Sequence, residues 1–135
     1  MIKLITGKKG TGKTKILIDT INDEVKATNG CLVCIEKGSA LANQINFRVR
    51  KLDTNFFNVD SYDNFFGFIA GLIAGNYDIK EIYVDGIFKI AGREYEDFAT
   101  MLDKVDAITK EDVTVVFTVS ADNSELPTGV TKYLD

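Results

Sequence analysis

Short, nearly continuous apolar runs alternate along this chain with longer segments in which apolar side chains recur at helical spacing. The runs predict strands over residues 2–6, 31–36, 55–59, 81–85 and 113–119. Between them, Ile16, Leu17, Ile18, Ile21 and Val25 mark one face of a helix over 13–28, which Asn29 and Gly30 terminate. Tyr95, Phe98, Met101, Leu102, Val105 and Ile108 do the same for a helix over 93–109. A third helix is expected over 62–76 and a short one over 39–45. Residues 47–53 alternate apolar with basic side chains and read as extended, and a last run over 130–134 suggests an edge strand.

Strand and helix in alternation, joined by short polar connections, predict an α/β fold: a three-layer sandwich around a mostly parallel sheet. The 135 residues, 45% of them hydrophobic, suit one core and one domain spanning residues 1–135. The helix over 62–76 is apolar nearly all round, but its run is too short to cross a bilayer. Gly67, Gly71 and Gly75 lie four apart on it and form a smooth ridge, expected to pack flat on the sheet, with a subunit or partner interface as the other use.

Twenty acidic against sixteen basic residues leave a net charge of −4, so nucleic-acid binding is possible but not indicated. The first apolar run is too short for a secretory leader, and the expectation is a cytoplasmic protein with no membrane contact. Cys31 and Cys34 form a C-x-x-C, yet three residues apart on a strand they point to opposite faces, and the chain has no histidine and no third cysteine. They read as structural thiols.

Between the first strand and the first helix the chain reads Gly7-Lys8-Lys9-Gly10-Thr11-Gly12-Lys13-Thr14, which satisfies G-x-x-x-x-G-K-[ST]. The glycines let main-chain N–H groups approach and wrap a triphosphate. Lys13 adds an ammonium for the β- and γ-phosphates, Thr14 a hydroxyl able to ligate Mg²⁺, and the following helix points its positive end at the same anion. Asp85 ends the apolar run Ile82-Tyr83-Val84 and is followed at once by Gly86, which suits a carboxylate at a strand tip for the magnesium.

These two motifs and the order of elements around them resemble the P-loop NTPases, and more narrowly the RecA-like ATPases. That resemblance implies Mg·ATP as ligand and a parallel sheet in which strand 113–119 lies between the loop strand and the Asp85 strand. It implies a water-orienting glutamate near the end of the second strand, for which Glu36 is the candidate, and a polar residue after the last core strand, Thr118 or Ser120. An arginine finger is expected from a neighbouring subunit. Arg48, Arg50 and Arg93 are the arginines available, and Arg48-Val49-Arg50-Lys51 could present a finger, touch a polyanion or form a solvated edge. The expected activity is hydrolysis of ATP to ADP and phosphate with low intrinsic turnover. Self-association is the accompanying expectation.

Three rival readings remain. Thr109-Lys110-Glu111-Asp112 resembles a guanine-reading box, but it precedes a strand rather than following one. A small-molecule kinase needs more arginine than the chain supplies. A nucleotide-dependent switch that binds without hydrolysing fits the small size and the glycine that follows Asp85.

Overall fold

The computed structural model describes residues 1–134. Five strands form one sheet: β1 (Ile2–Gly7), β2 (Cys31–Glu36), β3 (Arg50–Asp53), β4 (Ile79–Asp85) and β5 (Thr114–Ser120). All pairings are parallel, in the order β1-β5-β4-β2-β3. Helices cover both faces, giving the three-layer α/β sandwich. One face carries α1 (Lys13–Ala27). The other carries α2 (Tyr62–Gly75), α3 (Ile87–Ala91), α4 (Tyr95–Thr109) and the one-turn α5 (Thr128–Thr131).

Alternation along the strands builds these two cores. Leu32, Cys34, Tyr83 and Val116 pack with Leu17, Ile21 and Val25 of α1. Val33, Ile35, Ile82, Val84, Val115 and Phe117 face the other helices, around an aromatic cluster in which Phe98 lies 5.8 Å from Tyr62, 5.5 Å from Phe88 and 6.0 Å from Phe117. The same parity carries Glu36, Asp85 and Thr118 toward the α1 face at the C-terminal edge of the sheet. Cys34 is buried on that face, where loss of solvation pushes its thiol up to about 12; Cys31 packs on the other.

Strand β5 lies between β1 and β4, as the resemblance implied. The order as a whole is not clearly RecA-like: among the described residues nothing pairs beyond β1, and the far edge is the four-residue β3.

Four local expectations are corrected. Residues 39–45 form turns, not a helix. Their amides reach only three residues back, Ala42 N to Ser39 O and Gln44 N to Leu41 O, while the Glu36 carboxylate and Asn22 hold the segment against the sheet and α1. Residues 55–59 are also turns, because the Asp53 carboxylate accepts from Asn55 N and Gly38 N, both at 2.8 Å, and stops the chain from extending. The edge strand forms earlier, at β3, where Arg50 to Asp53 register against Val33 to Glu36. The helix expected over 93–109 begins at Tyr95 and is preceded by the separate α3, the two divided at Gly92 with φ 98°. The run over 130–134 contributes the end of α5 and turns rather than a strand.

Helix α2 starts where a capping box sets it. The Ser61 hydroxyl accepts from Asn64 N, and the Asn64 side chain accepts from Ser61 N. It buries Tyr62, Phe65 and Ile69, so the Gly67, Gly71 and Gly75 ridge falls on the opposite side. A side chain at any of the three would meet open space, which overturns the expectation that the ridge packs on the sheet. Among the described residues no helix is long and apolar enough to cross a membrane.

Candidate functional site

The C-terminal ends of β1, β5 and β4 open into a cavity of about 440 Å³. The sequence-predicted residues Lys9, Gly10, Gly12, Lys13 and Thr14 line it together with Asp85. Gly7, Lys8 and Thr11 belong to the same loop but brace it from behind. The Lys8 carbonyl accepts from Thr11 Oγ1 at 2.7 Å and from Lys13 Nζ at 2.9 Å. A Cβ at Gly7 would lie 2.5 Å from Thr11 Oγ1, so that bracing requires glycine there.

Gly12, at φ 85°, turns the loop into α1 through the left-handed region that glycine enters freely. No side chain caps the first turn of α1, and none of its residues is acidic, whereas α2 and α4 carry carboxylates in theirs. The positive end of the α1 dipole therefore faces the cavity with no carboxylate of its own helix to offset it. Lys13 is only 7% exposed although it is charged. Desolvation holds its pKa below the usual lysine value, with Asp85 opposing that shift and Lys89 adding to it.

At the floor, Asp85 joins three elements. Thr14 Oγ1 donates to Asp85 Oδ1 at 3.1 Å and Thr118 Oγ1 donates to the same oxygen at 2.9 Å. Thr118 Oγ1 also accepts from Gly86 N at 2.7 Å. Of the two polar candidates on β5, Thr118 is therefore the one that touches Asp85; Ser120 lines the cavity at the strand's end.

Glu36 sits beside Asp85 in the β2–β4 register, but its carboxylate is occupied elsewhere, accepting from Leu41 N at 3.0 Å. It does not line the cavity. Burial raises its pKa, the Leu41 amide opposes that rise, and the Asp85 charge adds to it.

The basic segment does not reach the cavity, and Arg48 and Arg50 are both exposed. Arg48 Nη1 donates to Val25 O at 3.0 Å and Nη2 to Thr28 O at 3.4 Å, neutralising the C-terminal end of α1, while Lys51 Nζ bonds to Asn46 O and Val49 O. Thr109 and Lys110 lie at the far end of the sheet, where Thr109 Oγ1 and the carbonyls of Lys110 and Val113 accept from the Met1 ammonium.

Lys89 and Arg93 are cavity residues that sequence reasoning did not place. They follow directly after the Asp85 strand, with the buried anchors Ile87 before Lys89 and Ile90 between Lys89 and Arg93, and that pattern was the available signal. With them, among the described residues, four cations (Lys9, Lys13, Lys89, Arg93) face one carboxylate, in a chain whose net charge is −4. A concave site with a glycine-rich loop, a helix N-terminus and this charge excess has the chemistry to accept a multiply charged anion. Comparison of the chain with protein-family models and with curated proteins finds no match.

Proposed function

We propose that this protein is a P-loop nucleotide-binding protein whose ligand is Mg·ATP and whose hydrolysis of that ligand to ADP and phosphate is slow. The observation that carries this reading is the 3.1 Å contact between Thr14 and Asp85, residues 71 apart in sequence, beside a buried Lys13 and a glycine-rich loop. A hydroxyl and a carboxylate that meet at the floor of an anion cavity are the two protein ligands a phosphate-bound magnesium needs, because Mg²⁺ takes its other ligands from phosphate oxygens and water. Among the described residues no cluster of three metal-binding side chains exists, so a metal held by protein alone is not supported. Oxygen donors at Thr14 and Asp85 fit the ion, which when bound would supply neutralisation of phosphate charge.

In this account the loop amides of Gly10 and Gly12 and the first turn of α1 cradle the phosphates. Lys13 is held by Lys8 O within reach of the β- and γ-groups, and gains by bonding to phosphate what burial costs its ammonium. Thr118 fixes the orientation of Asp85. Adenine as the base rests on the resemblance, together with the position of Thr109 to Asp112 away from the cavity.

One observation favours the switch reading for the hydrolytic step. Among the described residues Asp85 is the single carboxylate lining the cavity, and Glu36 is tied to the 37–41 turn, so neither is free to orient an attacking water. Tight binding with turnover far below one per second is the expected behaviour.

Calorimetric titration with Mg·ATP, run beside phosphate release on the same samples, tests both parts. Lys13→Ala and Asp85→Asn should each weaken Mg·ATP binding at least tenfold, and Asp85→Asn should lose most of the magnesium dependence. Equal affinity in wild type and Lys13→Ala would end the proposal.

A further inference from the structure

Of the three arginines, only Arg93 reaches the cavity, and it is held there by its own chain. Its guanidinium lies 4.8 Å from the centroid of the Phe88 ring, Nη1 donates to Ser120 O at 3.0 Å, and the same nitrogen has a longer contact of 3.4 Å with the Tyr95 hydroxyl. Phe88 and Ser120 line the cavity themselves. Both contacts use Nη1, and a guanidinium carries five N–H groups, so Nε and Nη2 keep donors to offer. Neither Arg93 nor Lys89 forms an ion pair among the described residues. A planar fork has been fixed in place without a carboxylate to satisfy it.

The sheet order says where that fork stands relative to the loop. The glycine-rich loop leaves β1, the α3 segment leaves β4, and β5 lies between them, ending at Ser120. Lys89, Arg93 and the loop line one cavity from either side of the β5 end, so an anion whose inner phosphates rested on the loop would have its outer phosphate on the side of Lys89 and Arg93.

We infer that Arg93 recognises the outermost phosphate of a nucleoside triphosphate in cis, so that the site distinguishes triphosphate from diphosphate without a neighbouring subunit. This rests on the nucleotide reading above and replaces the expectation of an arginine supplied in trans. Arginine suits the task because it stays charged and grips a phosphate through two parallel N–H bonds, which lysine cannot do.

The test is calorimetric titration of wild type, Arg93→Gln and Arg93→Lys with Mg·ATP and with Mg·ADP, with sedimentation recorded over the same protein concentrations and melting midpoints confirming that each variant is folded. Wild type should prefer Mg·ATP. Arg93→Gln should lower the ATP-to-ADP affinity ratio at least tenfold while its Mg·ADP affinity stays within twofold, and Arg93→Lys should keep part of the ratio. The ratio should not depend on protein concentration. An unchanged ratio in Arg93→Gln, an equal loss for both nucleotides, or a wild-type preference that appears only as the protein self-associates would overturn the inference and leave nucleotide binding standing. Wild type that binds neither nucleotide would overturn both.

Discussion

Thr118→Val removes one oxygen at the point where the floor of the cavity is tied together. The threonine is 2% exposed, and its hydroxyl makes two bonds at once, donating to Asp85 Oδ1 at 2.9 Å and accepting from Gly86 N at 2.7 Å. Valine keeps the shape and loses both. The bond to an ionised acceptor is worth about 1.5–3 kcal/mol, and the Gly86 amide, left without its partner at a half-buried turn, costs about 1–3 kcal/mol more. The methyl that replaces the hydroxyl returns about 1 kcal/mol of apolar burial. The net expectation is a loss of about 1.5–5 kcal/mol, which in a domain of this size lowers the melting midpoint by about 5–18 °C. Thr118→Ser retains both bonds and gives up only a methyl, so it should stay within about 1 kcal/mol of wild type. Urea unfolding of the three proteins at neutral pH, with unchanged m-values, reads the differences directly. A Thr118→Val protein within about 0.5 kcal/mol of wild type, the range of an ordinary surface change, would refute the claim that this hydroxyl bridges β4, β5 and the turn after Asp85.

Phe98→Ala opens the aromatic cluster among Tyr62, Phe88 and Phe117 and should cost about 3–5 kcal/mol in urea unfolding. Arg48→Ala removes two bonds to the last carbonyls of α1 and should cost about 1 kcal/mol, with Mg·ATP affinity in calorimetry unchanged. Glu36→Gln should show a pH signature. Burial raises the Glu36 pKa above its unfolded value, so the carboxyl's contribution to stability is complete below the unfolded value and is lost as pH rises through the folded one. Glu36→Gln should therefore gain on wild type at pH 7 relative to pH 4, by less than about 1 kcal/mol because solvent screens a half-exposed group, as unfolding midpoints at the two pH values will read.

What the sequence determined by itself are the features that depend on neighbours along the chain. The glycine-rich loop, the helix after it, the start of α2 at Tyr62 and the four core strands β1, β2, β4 and β5 all follow from local chemistry or from hydrophobic period, and they form within a residue or two of where the pattern puts them. The period also puts Asp85 on the same face as Tyr83, two residues before it, and the fold shows that α1 covers that face.

Tertiary structure decided everything set by a partner distant in sequence. Edge strand β3 exists only where β2 offers it a register, and it stops where the Asp53 carboxylate captures the amides of Gly38 and Asn55. The glycine ridge of α2 faces outward because Phe65 and Ile69 win the inner face, a contest that a helix apolar on all sides leaves open until it packs. Arg48 and Arg93 look alike in the sequence, yet one is spent on the carbonyls of α1 and the other stands at the cavity. Glu36 sits beside Asp85 in register and is drawn off by the Leu41 amide. Periodicity records which side of an element is buried, but not which distant group its polar side chains will meet; only the sheet order, which places β5 between the loop strand and the Asp85 strand, brings those groups together.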